Sequence, residues 1–156
     1  MYGLLASKMP TANRGLYIVD RKTRQTRRLP APDGFARAVW SPDSRHVVAT
    51  NGTRFLLYDF ATRKWEELTS GVGLGLPFWS RDGKFVYYQE LFGEPDQPIY
   101  RVHIGTHKRE RLMSLKQIPQ SNVNRYGLAG LAANDVPVAS VVRTNSDIYA
   151  LELELP

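Results

Sequence analysis

Short stretches of β-branched and aromatic residues alternate with polar turn residues along most of the chain. Residues 47–50 and 55–60 are two such stretches, and the Asn-Gly pair between them is typical of a tight hairpin turn. The same arrangement returns at residues 85–89 and 99–104. No apolar pattern with the helical period of about 3.6 residues is sustained anywhere. The pattern therefore predicts an all-β protein built from short strands.

Two long segments, 38–70 and 77–114, repeat the same landmarks in the same order. Each contains Trp-Ser-x-Asp, at 40–43 and at 79–82, and each ends near a leucine. Between these landmarks lies an apolar-Tyr pair, which ends at Tyr58 in one segment and at Tyr100 in the other. Partial copies flank the two segments. Four short strands in a period of about 40 residues are typical of a β-propeller blade.

We label the strands of a blade A to D, from the centre outward. The prediction is one domain over 1–156, a partial β-propeller of about four blades of four-stranded antiparallel sheet. The first and last blades are incomplete, with strands B, C and D in the first and A, B and C in the last. The approximate blade ranges are 1–30, 36–70, 75–113 and 126–156. In the first blade, strands B, C and D are predicted near 3–6, 15–20 and 25–29. In the last blade, strands A, B and C are predicted near 127–132, 137–142 and 147–154. Because the missing strands belong to different blades, we expect a fragment, the C-terminal part of a larger propeller, that self-associates through open sheet edges.

Residues 40–45 (WSPDSR) and 79–84 (WSRDGK) resemble the WSPDG-K/R turn of TolB-type (WD40-like) repeats. The fourth unit departs from this motif, with LAAND at 131–135. The run WSRDGKFVYYQE, with the later IYRV and the final IYALELELP, is also similar to the C-terminal propellers of bacterial CadC-like winged-helix regulators and related sensor kinases. That resemblance implies a sensory or protein-interaction module in signal transduction, located in the periplasm where the regulator is anchored in the membrane.

Composition excludes several kinds of chemistry. The 156 residues contain no cysteine, so a disulfide framework, a thiolate metal site and a cysteine nucleophile are all excluded. The chain has no G-x-S-x-G motif for a serine hydrolase, and we expect neither catalysis nor a cofactor. The alternative is the accessory propeller of a prolyl oligopeptidase-like hydrolase. The glycines at 71, 73 and 75 are interpreted as a flexible linker, because no helix follows them to form a phosphate site.

The repeat motif itself is interpreted as structural. We expect Trp40 and Trp79 to pack between blades, and Asp43 and Asp82 to fix the A–B turns by accepting backbone amides. Stacking of a ligand on the tryptophans and calcium binding by the aspartates are the weaker alternatives. No metal site is expected at the histidines, because no third ligand lies near them in the sequence; they are His46, His103 and His107.

Basic residues concentrate in the predicted C–D hairpins and form the candidate interaction surface. The net charge of +6 permits an acidic protein or another anionic partner. A rim that is merely solvated is the alternative, and direct binding of nucleic acid is not expected, because no aromatic platform accompanies the charges. The ten residues are Arg21, Lys22, Arg24, Arg27, Arg28, Arg63, Lys64, Lys108, Arg109 and Arg111.

The opposite face of the predicted propeller receives two long loops, 89–98 and 114–126. Long loops on a rigid scaffold often carry binding function. We therefore predict ligand or partner contacts at Phe92, Asn124 and Tyr126. The same face is expected to hold acidic residues on the B–C loop, separate from the basic hairpins; these are Glu90, Glu94 and Asp96.

Overall fold

The chain folds into short strands that end where the sequence supplies turn residues. The computed structural model describes residues 15–32, 34–35, 37–115 and 123–143, with the side chains of 123–126 and 143 left aside. A 3-10 turn, Ala133–Asp135, separates the last two strands of this part. The strands are β1 (Leu16–Val19), β2 (Thr26–Leu29), β3 (Arg37–Trp40), β4 (His46–Thr50), β5 (Arg54–Asp59), β6 (Lys64–Ser70), β7 (Phe78–Trp79), β8 (Phe85–Gln89), β9 (Ile99–His103), β10 (Arg109–Met113), β11 (Val123–Leu131) and β12 (Pro137–Arg143).

The strands form four separate antiparallel sheets. Two are complete four-stranded meanders, β3-β4-β5-β6 and β7-β8-β9-β10, and two are pairs, β1-β2 and β11-β12. In chain order, we call β1-β2 the first blade, β3-β4-β5-β6 the second, β7-β8-β9-β10 the third and β11-β12 the fourth. The pairs occupy positions C–D of the first blade and A–B of the fourth. The predicted all-β partial propeller is confirmed, whereas the strands predicted at 3–6 and 147–154 lie outside the described residues.

Alternate residues of each strand face different neighbouring blades, as strand geometry requires. Val86 and Tyr88 of β8 belong to the core between the second and third blades. Gln89, with the opposite orientation, accepts a hydrogen bond from the Leu128 amide in the fourth blade at 3.0 Å. Both faces of an inner strand are therefore covered, which explains its nearly continuous apolar sequence.

Two apolar cores lie between consecutive blades. In the core between the second and third blades, Phe55 and Tyr88 meet edge to face with 5.0 Å between their ring centroids. Burial of a side chain of this size contributes about 1.5–3 kcal/mol, more than the roughly 1 kcal/mol of a single hydrogen bond. The core between the second and third blades contains Val48, Phe55, Leu57, Leu68, Leu74, Val86, Tyr88, Tyr100 and Val102. The core between the first and second contains Leu16, Leu29, Phe35, Val47, Ala49, Leu56 and Tyr58.

The outward faces of the first and fourth blades have no covering sheet in the described part of the chain. Tyr17 and Tyr100 each lie three residues before the C–D turn of their own blade. Tyr17 is nevertheless 53% exposed, whereas Tyr100 is 7% exposed. Val138 is 44% exposed, whereas Val48, at the same position of strand B, is completely buried. Among the residues that the structure describes, one apolar face is therefore uncovered at each end.

The structure corrects one landmark of the sequence repeat. The C–D turns begin at Asp20, Asp59 and His103, because the carbonyl of each accepts the amide four residues on. Tyr100 lies three residues before its turn, whereas Tyr58 lies directly before its own. The two tyrosines are thus offset by one period of the strand, and both still face the preceding blade, because strand side chains alternate with a period of two.

No helix in the part of the chain that the structure describes is both long enough and apolar enough to span a membrane.

Candidate interaction surfaces

The Trp-Ser-x-Asp motif builds the same A–B turn in both complete blades. The Ser41 hydroxyl donates to Asp43 Oδ1 at 2.6 Å and accepts the amide of His46 at 2.9 Å. Asp43 Oδ1 also accepts the amide of Arg45 at 3.0 Å. The turn at 80–85 repeats these three bonds at 2.7, 2.9 and 3.0 Å. The motif therefore specifies a hydrogen-bonded turn.

Both turn carboxylates are stabilised in their charged form. The hydroxyl of Ser41, and then the amide of Arg45, lower the pKa of Asp43 below its usual value. In the third blade the amide of Lys84, and then the serine hydroxyl, lower the pKa of Asp82. These bonds assign the two aspartates a turn-forming role.

The C–D turns share a five-residue geometry whose last residue is left-handed, with φ of 59°, 58° and 57°. These last residues are Arg24, Arg63 and His107. The first residue stabilises the turn with its side chain as well. Asp20 Oδ1 accepts the amides of Lys22 and Thr23, each at 2.8 Å. The backbone of the hairpins that carry basic residues is thus fixed by local hydrogen bonds.

His103 takes the place of aspartate in the third blade. Its Nδ1 accepts the amides of Gly105 and Thr106, each at 3.1 Å, as the carboxylate of Asp20 does in the first. His107 Nε2 lies 3.7 Å from Glu66 Oε1 of the second blade. No group of three metal-ligating side chains occurs among the described residues.

Eight of the ten predicted basic residues are exposed and have no carboxylate within 4.0 Å in the described ranges. Arg27 lies 6.0 Å from the ring centroid of Phe60, so the first and second blades contribute to one continuous surface. We call these residues the basic turn surface: Arg21, Lys22, Arg24, Arg27, Arg28, Arg63, Lys64 and Lys108.

Arg109 is a correction to that prediction. Its guanidinium lies 3.5 Å from the ring centroid of Tyr100 and forms an ion pair with Glu90, whose side chain is 7% exposed. The expected separation of these two residues onto opposite faces is wrong. A buried carboxylate needs a cation, and the arginine side chain extends along the sheet over the tyrosine to supply one.

Arg111 is a second correction, for the same reason. It forms ion pairs with Glu94, at 3.3 Å, and with Asp96 on the long B–C loop. Glu94 also accepts the hydroxyl of Tyr100 at 2.5 Å. The acidic loop therefore lies against the outer strand of its own blade, and its charges are neutralised there.

The glycine-rich connection between the second and third blades is tightly packed, so its interpretation as a flexible linker was wrong. Glu90 Oε1 accepts the amide of Val72 at 2.9 Å, and a Cβ on Gly71 would lie 2.7 Å from that oxygen. Gly73 has φ of 68° and lies against the ring of Phe92. Glycine is needed here for close approach and, at position 73, for a left-handed backbone.

The predicted loop-face contacts have different outcomes. Phe92 is 76% exposed beside Val72 and Leu76, which are also exposed. Asn124 and Tyr126 lie in strand β11, where a loop was expected, because β11 extends far enough to pair with residues up to 143 of β12. Their side chains lie outside the described structure, as do residues 116–122.

The two tryptophans of the motif have different surroundings. Trp79 Nε1 donates to the carbonyl of Val39 in the preceding blade at 3.1 Å, and its ring is packed against the core between those blades. Trp40 stacks on Phe60 of its own blade at 4.9 Å and is 37% exposed. A third tryptophan, Trp65, was not predicted to make such a contact, yet it joins the first two blades by donating to the Pro30 carbonyl at 2.6 Å.

Comparison with solved structures identifies the architecture. TolB from Acinetobacter baumannii is similar over 85% of this chain and 39% of its own, with a TM-score of 0.58 and 20% identity. An oligogalacturonate lyase in complex with manganese is similar over 64% of this chain and 33% of its own, with a TM-score of 0.51 and 14% identity. The fold is thus a TolB-like β-propeller, and the chain spans well under half the length of either structure. No protein-family model and no curated protein matches.

Replacing Arg109 by methionine should destabilise the protein, because the carboxylate of Glu90 would remain buried without its cation. We expect the free energy of unfolding in urea to fall by about 2–3 kcal/mol. The neighbouring, unpaired Lys108 provides a matched control, and Lys108→Met should change stability by less than about 0.5 kcal/mol. Adding Glu90→Gln to the Arg109 variant should recover part of the loss. Equal effects of the two single variants would contradict the assigned ion pair.

The A–B turns should lose stability in acid. Because the folded pKa values of Asp43 and Asp82 are lowered, their contribution is present above the unfolded value of about 3.9 and is lost as pH falls through the folded values. The double variant Asp43→Asn/Asp82→Asn should therefore show a shallower decline of unfolding free energy below about pH 4. Urea titrations from pH 7 to about 2 measure this. The control variant Glu67→Gln, which removes a carboxylate outside these turns, should leave the acid-dependent contribution of Asp43 and Asp82 unchanged. The same slope in the wild type and in the double variant would refute the assigned role of the two aspartates.

Proposed function

We propose that the chain is a non-catalytic β-propeller module that binds a protein partner, and that an acidic surface of the partner contacts the basic turn surface. The observation that supports this most directly is the set of eight exposed basic side chains without carboxylate partners in the described structure. Four other arginines of the described ranges do form ion pairs, for example Arg101 with Glu110 at 2.8 Å; they are Arg54, Arg101, Arg109 and Arg111.

Charge that the protein does not neutralise itself attracts anionic partners and accelerates their association. The turn backbones at Asp20 and Asp59 are held by hydrogen bonds, so binding would have to order side chains but not the loops themselves. An acidic protein fits this surface better than a nucleic acid, since the surface lacks a series of exposed aromatic rings for bases to stack on.

We further propose that the module belongs to a bacterial membrane-anchored regulator and acts as its sensory domain in the periplasm. The support is the resemblance of residues 79–90 and of the IYRV run to the propellers of CadC-like regulators. A winged-helix or kinase segment upstream in the same reading frame would favour this assignment. An α/β-hydrolase segment in that reading frame would favour the accessory-propeller alternative instead.

Charge reversal on the basic turn surface should weaken binding of an anionic probe. A fluorescently labelled poly-glutamate peptide is titrated with the protein at low salt and followed by anisotropy. The variant Lys22→Glu/Lys64→Glu should bind roughly tenfold more weakly than wild type, and added salt should weaken wild-type binding.

The matched control changes the same amount of charge at the opposite edge of the second blade. Arg37 and Arg54 begin strands β3 and β5, away from the A–B and C–D turns. Arg37→Glu/Arg54→Glu should reduce affinity less than about threefold, with circular dichroism confirming that both variants are folded. Equal losses in the two variants would show binding to net charge alone and would overturn the assignment of this surface.

A further inference from the structure

The two end sheets of the described chain are complementary halves of one blade. β1 and β2 are its outer strands, C and D, and β11 and β12 are its inner strands, A and B. In the complete blades strand B pairs with strand C, as β4 does with β5 and β8 with β9. Within the described residues β12 has no partner on its outer edge, and β1 has none on its inner edge.

We propose that two copies of the chain form a closed six-bladed propeller, in which β12 of each copy pairs with β1 of the other. The described residues of each copy supply two complete blades and two half blades, the equivalent of three blades. The proposal therefore gives the positions beside β1 and β12 to the other copy, in place of the strands that the sequence predicts at 3–6 and 147–154 of the same copy. Propellers usually contain about four to eight blades, so one copy is too few and three copies would be too many. Closure removes the open edges that β1 and β12 have among the described residues.

The complete blades fix the register of the new strand pair. Val47 pairs with Tyr58, and Val86 with Val102, each strand C residue being the one directly before the C–D turn. In strand B, Val47 pairs with Trp40 at the end of strand A, and Val86 pairs with Trp79 in the same way. Pro137 pairs with Leu131 at the end of strand A of the fourth blade, so Pro137 is the equivalent of the two valines. The register across the two copies is therefore Pro137 with Val19, Val138 with Ile18, Ala139 with Tyr17, and Ser140 with Leu16.

A backbone hydrogen bond supports the same register. In the second blade the amide of Phe60, just after the first residue of the C–D turn, donates to the carbonyl of Arg45 at 3.1 Å, and the third blade has the same bond at 2.9 Å. The equivalent donor in the first blade is the amide of Arg21, which has no acceptor among the described residues. The equivalent acceptor is the carbonyl of Asp135, which the other copy would supply.

The exposed side chains at both ends also fit this arrangement. Tyr17 and Val19 would face the third blade of the other copy, in the way that Tyr100 and Val102 face the second blade. Trp40 would take the place that Trp79 has in the third blade. Trp79 donates to the carbonyl of Val39, the residue before Trp40 in strand A of the preceding blade. In the other copy Leu131 is the equivalent of Trp40, so Trp40 would donate to the carbonyl of Gly130 of that copy.

Because the chain has no cysteine, a disulfide can test the register directly. The full chain carrying Ile18→Cys and Val138→Cys should oxidise to a covalent dimer, since facing residues of paired strands lie within disulfide distance. The control, Val19→Cys with Val138→Cys, places the two thiols on opposite faces of the sheet. It should form at least tenfold less dimer under the same oxidation. Tyr17→Cys with Ala139→Cys provides a second facing pair if the first variant does not fold.

Light scattering of the wild-type chain supplies an independent measurement. The expected mass is twice 17.7 kDa, and Trp40 emission should shift to longer wavelength on dilution into monomers in a Trp65→Phe/Trp79→Phe background. A monomer at all concentrations would show that the open edges are closed within one chain and would overturn the proposal. An open series of larger oligomers would overturn ring closure, and equal cross-linking of the facing and control pairs would overturn the register.

Discussion

Every blade of this protein has two apolar faces, and the packing of one blade against the next is the constraint on which the rest of the structure depends. Phe55 and Leu57 of the second blade are buried only because Val86 and Tyr88 of the third cover them. A single four-stranded sheet could not bury both of its faces, so no blade is expected to be stable alone. The hydrogen bonds of Trp79 and Gln89 then fix how neighbouring blades align.

Local patterns predicted most of this architecture. The alternation at 47–60 and 85–104 located the central strands, and the Trp-Ser-x-Asp motif located the A–B turns, because both depend on neighbouring residues. The tyrosine landmark was less informative: a shift of two residues along a strand leaves the side chain on the same face, so Tyr58 and Tyr100 could be equated without any visible conflict.

The candidate site was harder to predict, because it depends on contacts between distant segments. Arg109 was assigned to the basic surface by its turn, yet its side chain extends to Glu90. The available signal was Glu90 itself, an acidic residue between the apolar runs of β8 and Leu91-Phe92, which must find a cation if it is buried. The glycines at 71 and 73 were misinterpreted for a related reason. Glycine is favoured both in flexible linkers and where backbones pack closely, so the residue type alone does not distinguish the two.

These contacts give the described part of the molecule an apolar interior, a basic turn side and a loop side whose charges are largely paired. Most of the acidic B–C loop charge is neutralised within the third blade, which leaves the exposed Phe92 in a largely neutral setting. The C–D turns of the first two blades keep their basic charge unneutralised on a hydrogen-bonded backbone. A partner that recognises the protein through charge would therefore meet the turn side, whereas Phe92 offers an apolar contact on the loop side.

Hydrogen exchange at increasing denaturant tests the dependence on blade packing most directly. If consecutive blades stabilise each other, amides of β4, β5, β8 and β9 should exchange through one opening event, with the same free energy and the same denaturant dependence. If the second blade remains protected while the third has already opened, each sheet would be stable by itself, and the mutual dependence of the blades would be contradicted.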